Sequence, residues 1–262
     1  MIIKDIRTTA LSIPFTDPPR WSLDYNRPRE ILVVEIETTS GLTGMGYLMV
    51  LSGGLRTIKT CIEELLSPVV LGRSIWEVEA IWQDIWKATY WVGRMGVTVF
   101  AQSAIDIALW DALGKRAGLP LYKLWGGAQG GGSLRAYGSG CWRGLGQGGM
   151  IEKALAYVEA GFDAIKMQAG HMHSHAEDVA NVAAMREALG DGIAIMVDVN
   201  MGWTTDEAIE VGRRLDQYNI HWLEEPIVAE NFAGYFRVAD ALKTRVVGGE
   251  SHFTHHDLAP FF

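Results

Sequence analysis

Cys61 and Cys141 are the only thiols in the chain, and they lie far apart without metal-ligand spacing. A disulfide scaffold is excluded, and a reducing cytoplasm is the expected compartment. Positive charge is also short: 23 lysines and arginines against 31 acidic residues leave a net charge of −8. A nucleic-acid partner, which favours a basic face, is not expected. No apolar run reads as long enough to span a membrane, so no membrane partner is expected either. The opening MIIKDIRTTALSIPF carries charges inside its apolar stretch and is not a secretory signal. Phosphate-loop chemistry is missing as well. The glycine-rich GGAQGGG follows no strand and reads as a linker.

What is present is a core-forming sequence, 48% hydrophobic and 21% charged, long enough for one large domain or two ordinary ones. Residues 2–13 and 31–39 read as strands, and SerGly at 40–41 followed by TGMGYLMV suggests a meander. Between them TDPPRWSLDYNRPRE (16–30) is read as a loop, because its prolines disfavour regular pairing. Helical stripes follow: Leu55, Ile58, Ile62, Leu65 and Leu66, then Ile75, Val78, Trp82, Ile85 and Trp86. From Val97 to Leu113 the chain is apolar almost all round, a buried helix that GlyLeuPro at 118–120 stops. Residues 1–125 are therefore expected to form an α+β domain.

Beyond the linker, across 126–262, strand and helix patterns alternate. Strands are expected near 134, 164, 194, 221 and 246, and two helices start with capping-box spacing, Ser174 with Glu177 and Thr204 with Glu207. This is a βα repeat with the architecture of a parallel (TIM-like) barrel, whose active sites sit at the strand C-termini. Five strands fall short of eight, since a full barrel needs roughly 200–250 residues. The expectation is that about three more βα units follow in the native protein. A doubly wound open sheet is the alternative.

Three acidic residues, Asp198, Glu224 and Glu250, lie 26 residues apart, each ending a short apolar run: IAIMVDVN, HWLEEP and VVGGE. Carboxylates converging from adjacent strand ends repel one another unless a cation sits between them. An all-oxygen set favours Mg²⁺, with Mn²⁺ possible, over Zn²⁺. Each acid taken alone could equally be a solvated residue or a helix cap. Glu225 is expected to point away from Glu224, because side chains alternate along a strand. Asn200, two residues past Asp198, shares its face and is a candidate for metal or substrate contact.

Lys166 ends the second strand of the repeat, where an ammonium is costly unless it meets an acid or a cavity. It reads either as a lysine paired to a neighbouring carboxylate or as a cation that stabilises an anionic substrate. Gln168 shares its face but cannot take a proton at neutral pH. Of the alternating His171, His173 and His175, at least two are expected in solvent; His171, nearest the strand end, is the candidate to face the pocket. His252, His255 and His256 carry the same ambiguity. Trp21, Tyr25 and Arg27, in the 16–30 loop, are candidate substrate contacts on a lid.

These motifs together resemble the enolase superfamily, in particular its mandelate racemase and muconate lactonizing enzyme group. The likeness rests on SAIDIALWDALGKRAGLPLYKLWGG (103–127), the strand-two lysine, DVN at 198–200, LEEP at 223–226 and GGE at 248–250. The resemblance implies an α+β capping domain and a modified (β/α)₇β barrel. It implies Mg²⁺ held by Asp198, Glu224 and Glu250, and removal of a proton α to a carboxylate through an enediolate. Lys166, Gln168 and His171 then become the candidate catalytic residues. The expected partners are a small carboxylate substrate, an acid sugar, and further copies of the chain. The sequence departs from the family pattern at Lys166-Met167-Gln168, where the family has Lys-x-Lys and the second lysine is a base. The family's opposite-face His–Asp pair belongs to later strands than this sequence holds. The favoured expectation is accordingly an acid-sugar dehydratase, with a racemase, epimerase or cycloisomerase, or a metal-binding non-catalytic homologue, as alternatives.

Overall fold

A computed structural model describes residues 1–16, 28–50, 53–127, 132–171 and 174–262. The described residues up to Ser133 form one compact unit, and Leu134–Phe262 form a second.

In the first unit β1 (Ile3–Ile13), β2 (Arg29–Thr38) and β3 (Thr43–Val50) make an antiparallel sheet in sequence order. The period-2 pattern of β2 buries Leu32, Val34 and Ile36 on one face. Helix α1 (Leu55–Thr60) passes through a π-helical turn at Cys61–Leu66 into α2 (Ser67–Val70). The apolar stripe predicts one unbroken helix here. Pro68 has no N–H to continue the ladder, and the Ile62 carbonyl accepts both the backbone N–H and the hydroxyl of Ser67, the latter at 2.8 Å. Then come α3 (Val78–Ala88), α4 (Val97–Ala117) and α5 (Leu121–Leu124).

Helix α4 lies almost on the backbone of β3. A methyl group at Gly44 would stand 2.0 Å from the Ala108 carbonyl oxygen, and one at Gly46 2.1 Å from that of Ala104. Glycine on the strand and alanine on the helix are what permit this approach. At 21 residues and a mean hydropathy of 1.2, α4 meets the length and composition of a membrane span. That corrects the expectation that no run does. Its apolar length is used here to fill the first core, where Ala101, Ala104, Ile105, Ala108, Leu109 and Ala112 are buried.

The second unit repeats strand and helix: β4 (Gly138–Cys141), α6 (Gly146–Glu159), β5 (Ala164–Gln168), α7 (His175–Leu189), β6 (Ala194–Asp198), α8 (Thr205–Leu215), β7 (Trp222–Glu224), α9 (Phe232–Ala241), β8 (Arg245–Val247) and α10 (Thr254–Leu258). All strands are parallel, and their spatial order is their sequence order, β4-β5-β6-β7-β8. A doubly wound sheet reverses its order at a switch point; this one does not, so the barrel-type reading stands and the open-sheet alternative falls. The first strand starts at Gly138, later than the expected 134, and Leu134 is exposed. Both capping boxes form, at Ser174 with Glu177 and Thr204 with Glu207. Ile165, Met167, Ile195, Val197 and Leu223 share one buried cluster with Val179, Val182, Val211, Leu215 and Val238 of the helices. The alternate residues Lys166, Gln168, Asp198 and Glu224 are thereby turned to the other face.

Candidate active site

Parallel pairing sets the carboxylates in line. Gln168 is the partner of Asp198, Asp198 of Glu224, and Glu224 of Val247. Equal spacing in sequence is therefore not equal register in the sheet. Glu250 lies three residues past the register position, because β8 ends at Val247 and Gly248–Gly249 extend the chain. Gly249 has φ +134° and its carbonyl accepts from the His252 N–H at 3.1 Å, so Glu250 rides on a tight turn. Asn200 (φ +47°), Glu225 (φ +36°) and His171 (φ +62°) are also left-handed. Such strain gathers where a structure over-determines the position of functional groups.

Lys166 is the centre of the polar contacts. Its Nζ stands 2.9 Å from Asp198 Oδ2 and 2.7 Å from Glu224 Oε1. The other oxygen of Glu224 accepts from the Trp222 indole at 2.8 Å. Asn200 ties the next row together: its N–H donates to Asp198 Oδ1 (3.0 Å), and its amide donates to Glu250 Oε1 (3.5 Å). Gln168 is held at both ends, donating to Asn200 Oδ1 at 2.6 Å and accepting the Arg143 N–H at 3.3 Å. His171 Nε2–H donates to the Asn200 carbonyl at 2.8 Å. A cavity of about 260 Å³ opens beside these groups, lined by Tyr137, Trp222, Glu224, Glu225, Val247, Gly248 and Glu250.

The cluster is short of positive charge. Burial works against the Lys166 ammonium, yet its bond to Glu224 and the Asp198 charge outweigh that and raise its pKa above the ordinary lysine value. Burial also raises the Asp198 carboxyl, against the pull of Lys166 and with the push of Glu224. Glu250 is raised by burial and by the charges of Glu225 and Asp198. One ammonium thus serves a group of acids, two of which, Asp198 and Glu250, have raised pKa values. That demand, with an all-oxygen donor set, suits a hard divalent cation. In the arrangement described, Asp198 and Glu224 are drawn to Lys166 while Glu250 meets Asn200, and the three do not close on a common point. Among the described residues no group of three or more His, Cys, Asp or Glu is placed to hold a metal ion.

Lys166, Gln168, His171, Asp198, Asn200, Glu224 and Glu250 are thus linked through one hydrogen-bonded cluster. Lys166 is paired to acids, the plainer of its two readings. Trp21, Tyr25, Arg27 and His173 lie outside the described residues. His175 is the first residue of α7, where its ring stands 3.7 Å from Glu207. His252 is turned to the Ala229 carbonyl at 3.1 Å. Two contributors were not anticipated. Trp222 precedes Glu224 by two and so shares its face, a relation that alternation makes readable. Arg143, buried just past β4, donates from Nε to Asp178 at 3.1 Å. Its partner is 35 residues away, and no local pattern announces it.

Comparison with known proteins agrees with this fold. Residues 5–126 match the mandelate racemase/muconate lactonizing enzyme N-terminal domain, and 149–262 the enolase C-terminal domain-like family. The chain is 36% identical over 261 residues to 3,6-anhydro-alpha-L-galactonate cycloisomerase of Streptomyces coelicolor, covering 98% of this chain and 70% of that one. It is 35% identical to arabinonate dehydratase of Saccharolobus solfataricus, with 97% and 68% covered. A solved racemase from Streptomyces coelicolor with bound magnesium superposes at a TM-score of 0.92 with 35% identity, covering 99% of this chain and 72% of that one. The chain spans about 70% of the first relative's length. It belongs to the mandelate racemase/muconate lactonizing enzyme group of the enolase superfamily.

Proposed function

We propose that the protein is a Mg²⁺-dependent hydro-lyase that dehydrates an acid sugar. The observation that carries this reading is the state of the β5 face. Gln168 stands where the family pattern places a second lysine, and its amide is hydrogen-bonded at both ends and cannot accept a proton at neutral pH. Lys166 is held as an ammonium between two acids. Strand β5 itself therefore offers a cation and no base. Racemization needs an acid/base on both faces of the substrate, whereas elimination needs proton removal from one only.

Asp198, Glu224 and Glu250 are the residues that would hold Mg²⁺, which when bound supplies charge that acidifies the proton α to a carboxylate. Lys166 neutralises the charge that grows on the substrate carboxylate as the proton departs from the opposite face. Asn200, fixed by Gln168 and His171, keeps Asp198 and Glu250 oriented towards one another. The β-hydroxyl then leaves with one proton, so the α-proton and the hydroxyl account for the water lost, and the enol that remains tautomerises to the 2-keto acid.

A second reading is a cycloisomerase, favoured by the 36% identity to an anhydrosugar-acid cycloisomerase. There the leaving oxygen stays in the molecule. Incubation with a panel of acid sugars and anhydrosugar acids in D₂O with Mg²⁺ separates the readings. A product that has lost the elements of water supports dehydration; an isomer that has lost none, heavier only by the solvent deuterium taken up at carbon, supports cycloisomerization. Deuterium exchange with inversion at the α-carbon would restore racemization, and no reaction or exchange across the panel would make the protein a binder of carboxylates.

A further inference from the structure

Glu225 is fully buried, and the proposed chemistry gives its carboxylate no task. Its contacts all run to the strand ends on either side. Oε1 accepts the N–H groups of Gly249 (3.4 Å) and Ser251 (3.3 Å), the two residues that flank Glu250. Oε2 accepts the Ser251 hydroxyl at 3.4 Å. The Glu225 backbone N–H donates to the Val247 carbonyl at 2.9 Å, and its own carbonyl accepts from the Met201 N–H at 2.7 Å. One residue therefore joins the ends of β6, β7 and β8, which carry Asp198, Glu224 and Glu250.

We infer that Glu225 is a positioning residue: its carboxylate clasps the turn at 249–251 and so sets where Glu250 points. The inference rests on the proposed cation site for its consequence, but the clasp itself exists without a cation. The turn cannot hold Glu250 by sheet pairing, since β8 ends at Val247 and Gly249 adopts a φ of +134°. A carboxylate reaching in from β7 supplies the two N–H partners that a longer β8 would have found in the ladder. The left-handed φ of +36° at Glu225 is the local cost of turning that side chain out of strand alternation towards β8.

Hydrogen exchange of the Gly249 and Ser251 amides, measured on protein free of divalent ions, reads the clasp directly. Mg²⁺ titration calorimetry on the same proteins reads its effect on the site. Glu225→Ala is expected to speed exchange at these two amides by about tenfold or more, with the β6 amides unchanged. It is also expected to weaken Mg²⁺ binding by about tenfold. Glu225→Gln keeps an oxygen for both N–H groups and is expected to restore both properties towards wild type. Should the alanine variant not fold, the similar-volume, acceptor-free Glu225→Met carries the same reading. Folding by Glu225→Gln alone of the three would also support the clasp. Wild-type exchange in Glu225→Ala or Glu225→Met would overturn it, as would Glu225→Gln losing as much protection as they do. Glu224→Gln serves as the control: if it binds Mg²⁺ as wild type does, the cation site is wrong, while the exchange rates still judge the clasp.

Discussion

The first unit and the second use the same property of a strand, alternation of faces, for opposite ends. On β3 the buried positions Gly44 and Gly46 are emptied of side chain, so that α4 can lie on the backbone. On β6 and β7 the positions turned away from the helices hold Asp198 and Glu224, with Lys166 beside them. Where α4 meets Gly44 and Gly46 the first arrangement is complete in itself, because glycine there faces the backbone of Ala104, Ala108 and Ala112 and the Ala112 methyl, and leaves no charge to neutralise. The second is electrostatically unfinished, with more acids than cations. The difference teaches where a ligand can alter stability: a divalent ion has something to complete only in the second unit.

The largest effect is expected at Lys166. Replacing it with alanine strands two largely buried acids, at a cost of about 3–5 kcal/mol in the absence of divalent ions. Mg²⁺ is expected to return part of that loss, which thermal unfolding with and without the ion would read. A Lys166→Ala protein destabilised equally under both conditions would break the comparison.

Gly46→Ala comes next. Its added methyl would meet the Ala104 carbonyl oxygen at 2.1 Å, forcing α4 off the sheet. The expected loss is about 2–3 kcal/mol, with no recovery on adding Mg²⁺. Recovery by the ion would show that the two units do not differ as described.

The smallest effect belongs to Asp106 on α4, whose pKa burial and then the charge of Glu79 raise to about 6. A raised acid favours the fold fully below its unfolded pKa, and that contribution is lost as pH climbs through the folded one. Asp106→Asn cannot ionise. It is therefore expected to be more stable than wild type by about 1–2 kcal/mol above pH 7, with the difference vanishing below about pH 4. Denaturant titrations at the two pH values test the sign.

Much of this was legible in the amino-acid order. Alternation in β2, the polar caps at Ser174 and Thr204, and the apolar length of α4 are local properties, and local hydrogen bonding and burial enforce them. The π-turn before α2 was not legible as such, because a stripe of apolar residues survives a one-residue slip of the ladder. The acidic spacing drew attention to side chains that the fold brings to neighbouring strand ends. It misjudged the register of Glu250, since counting residues cannot distinguish strand from turn where β8 is only three residues long. The pairing of Arg143 with Asp178, and the grip of Glu225 on Ser251, depend on which strand ends become neighbours. No spacing rule within one segment contains that information.

The central claim is that Asp198, Glu224 and Glu250 form a divalent-cation site that the acid-rich cluster requires. The most direct test is the unfolding temperature across a Mg²⁺ titration, in wild type and in Glu224→Gln. The account predicts a rise with ion concentration in wild type and none in the variant. An equal rise in both proteins would contradict it.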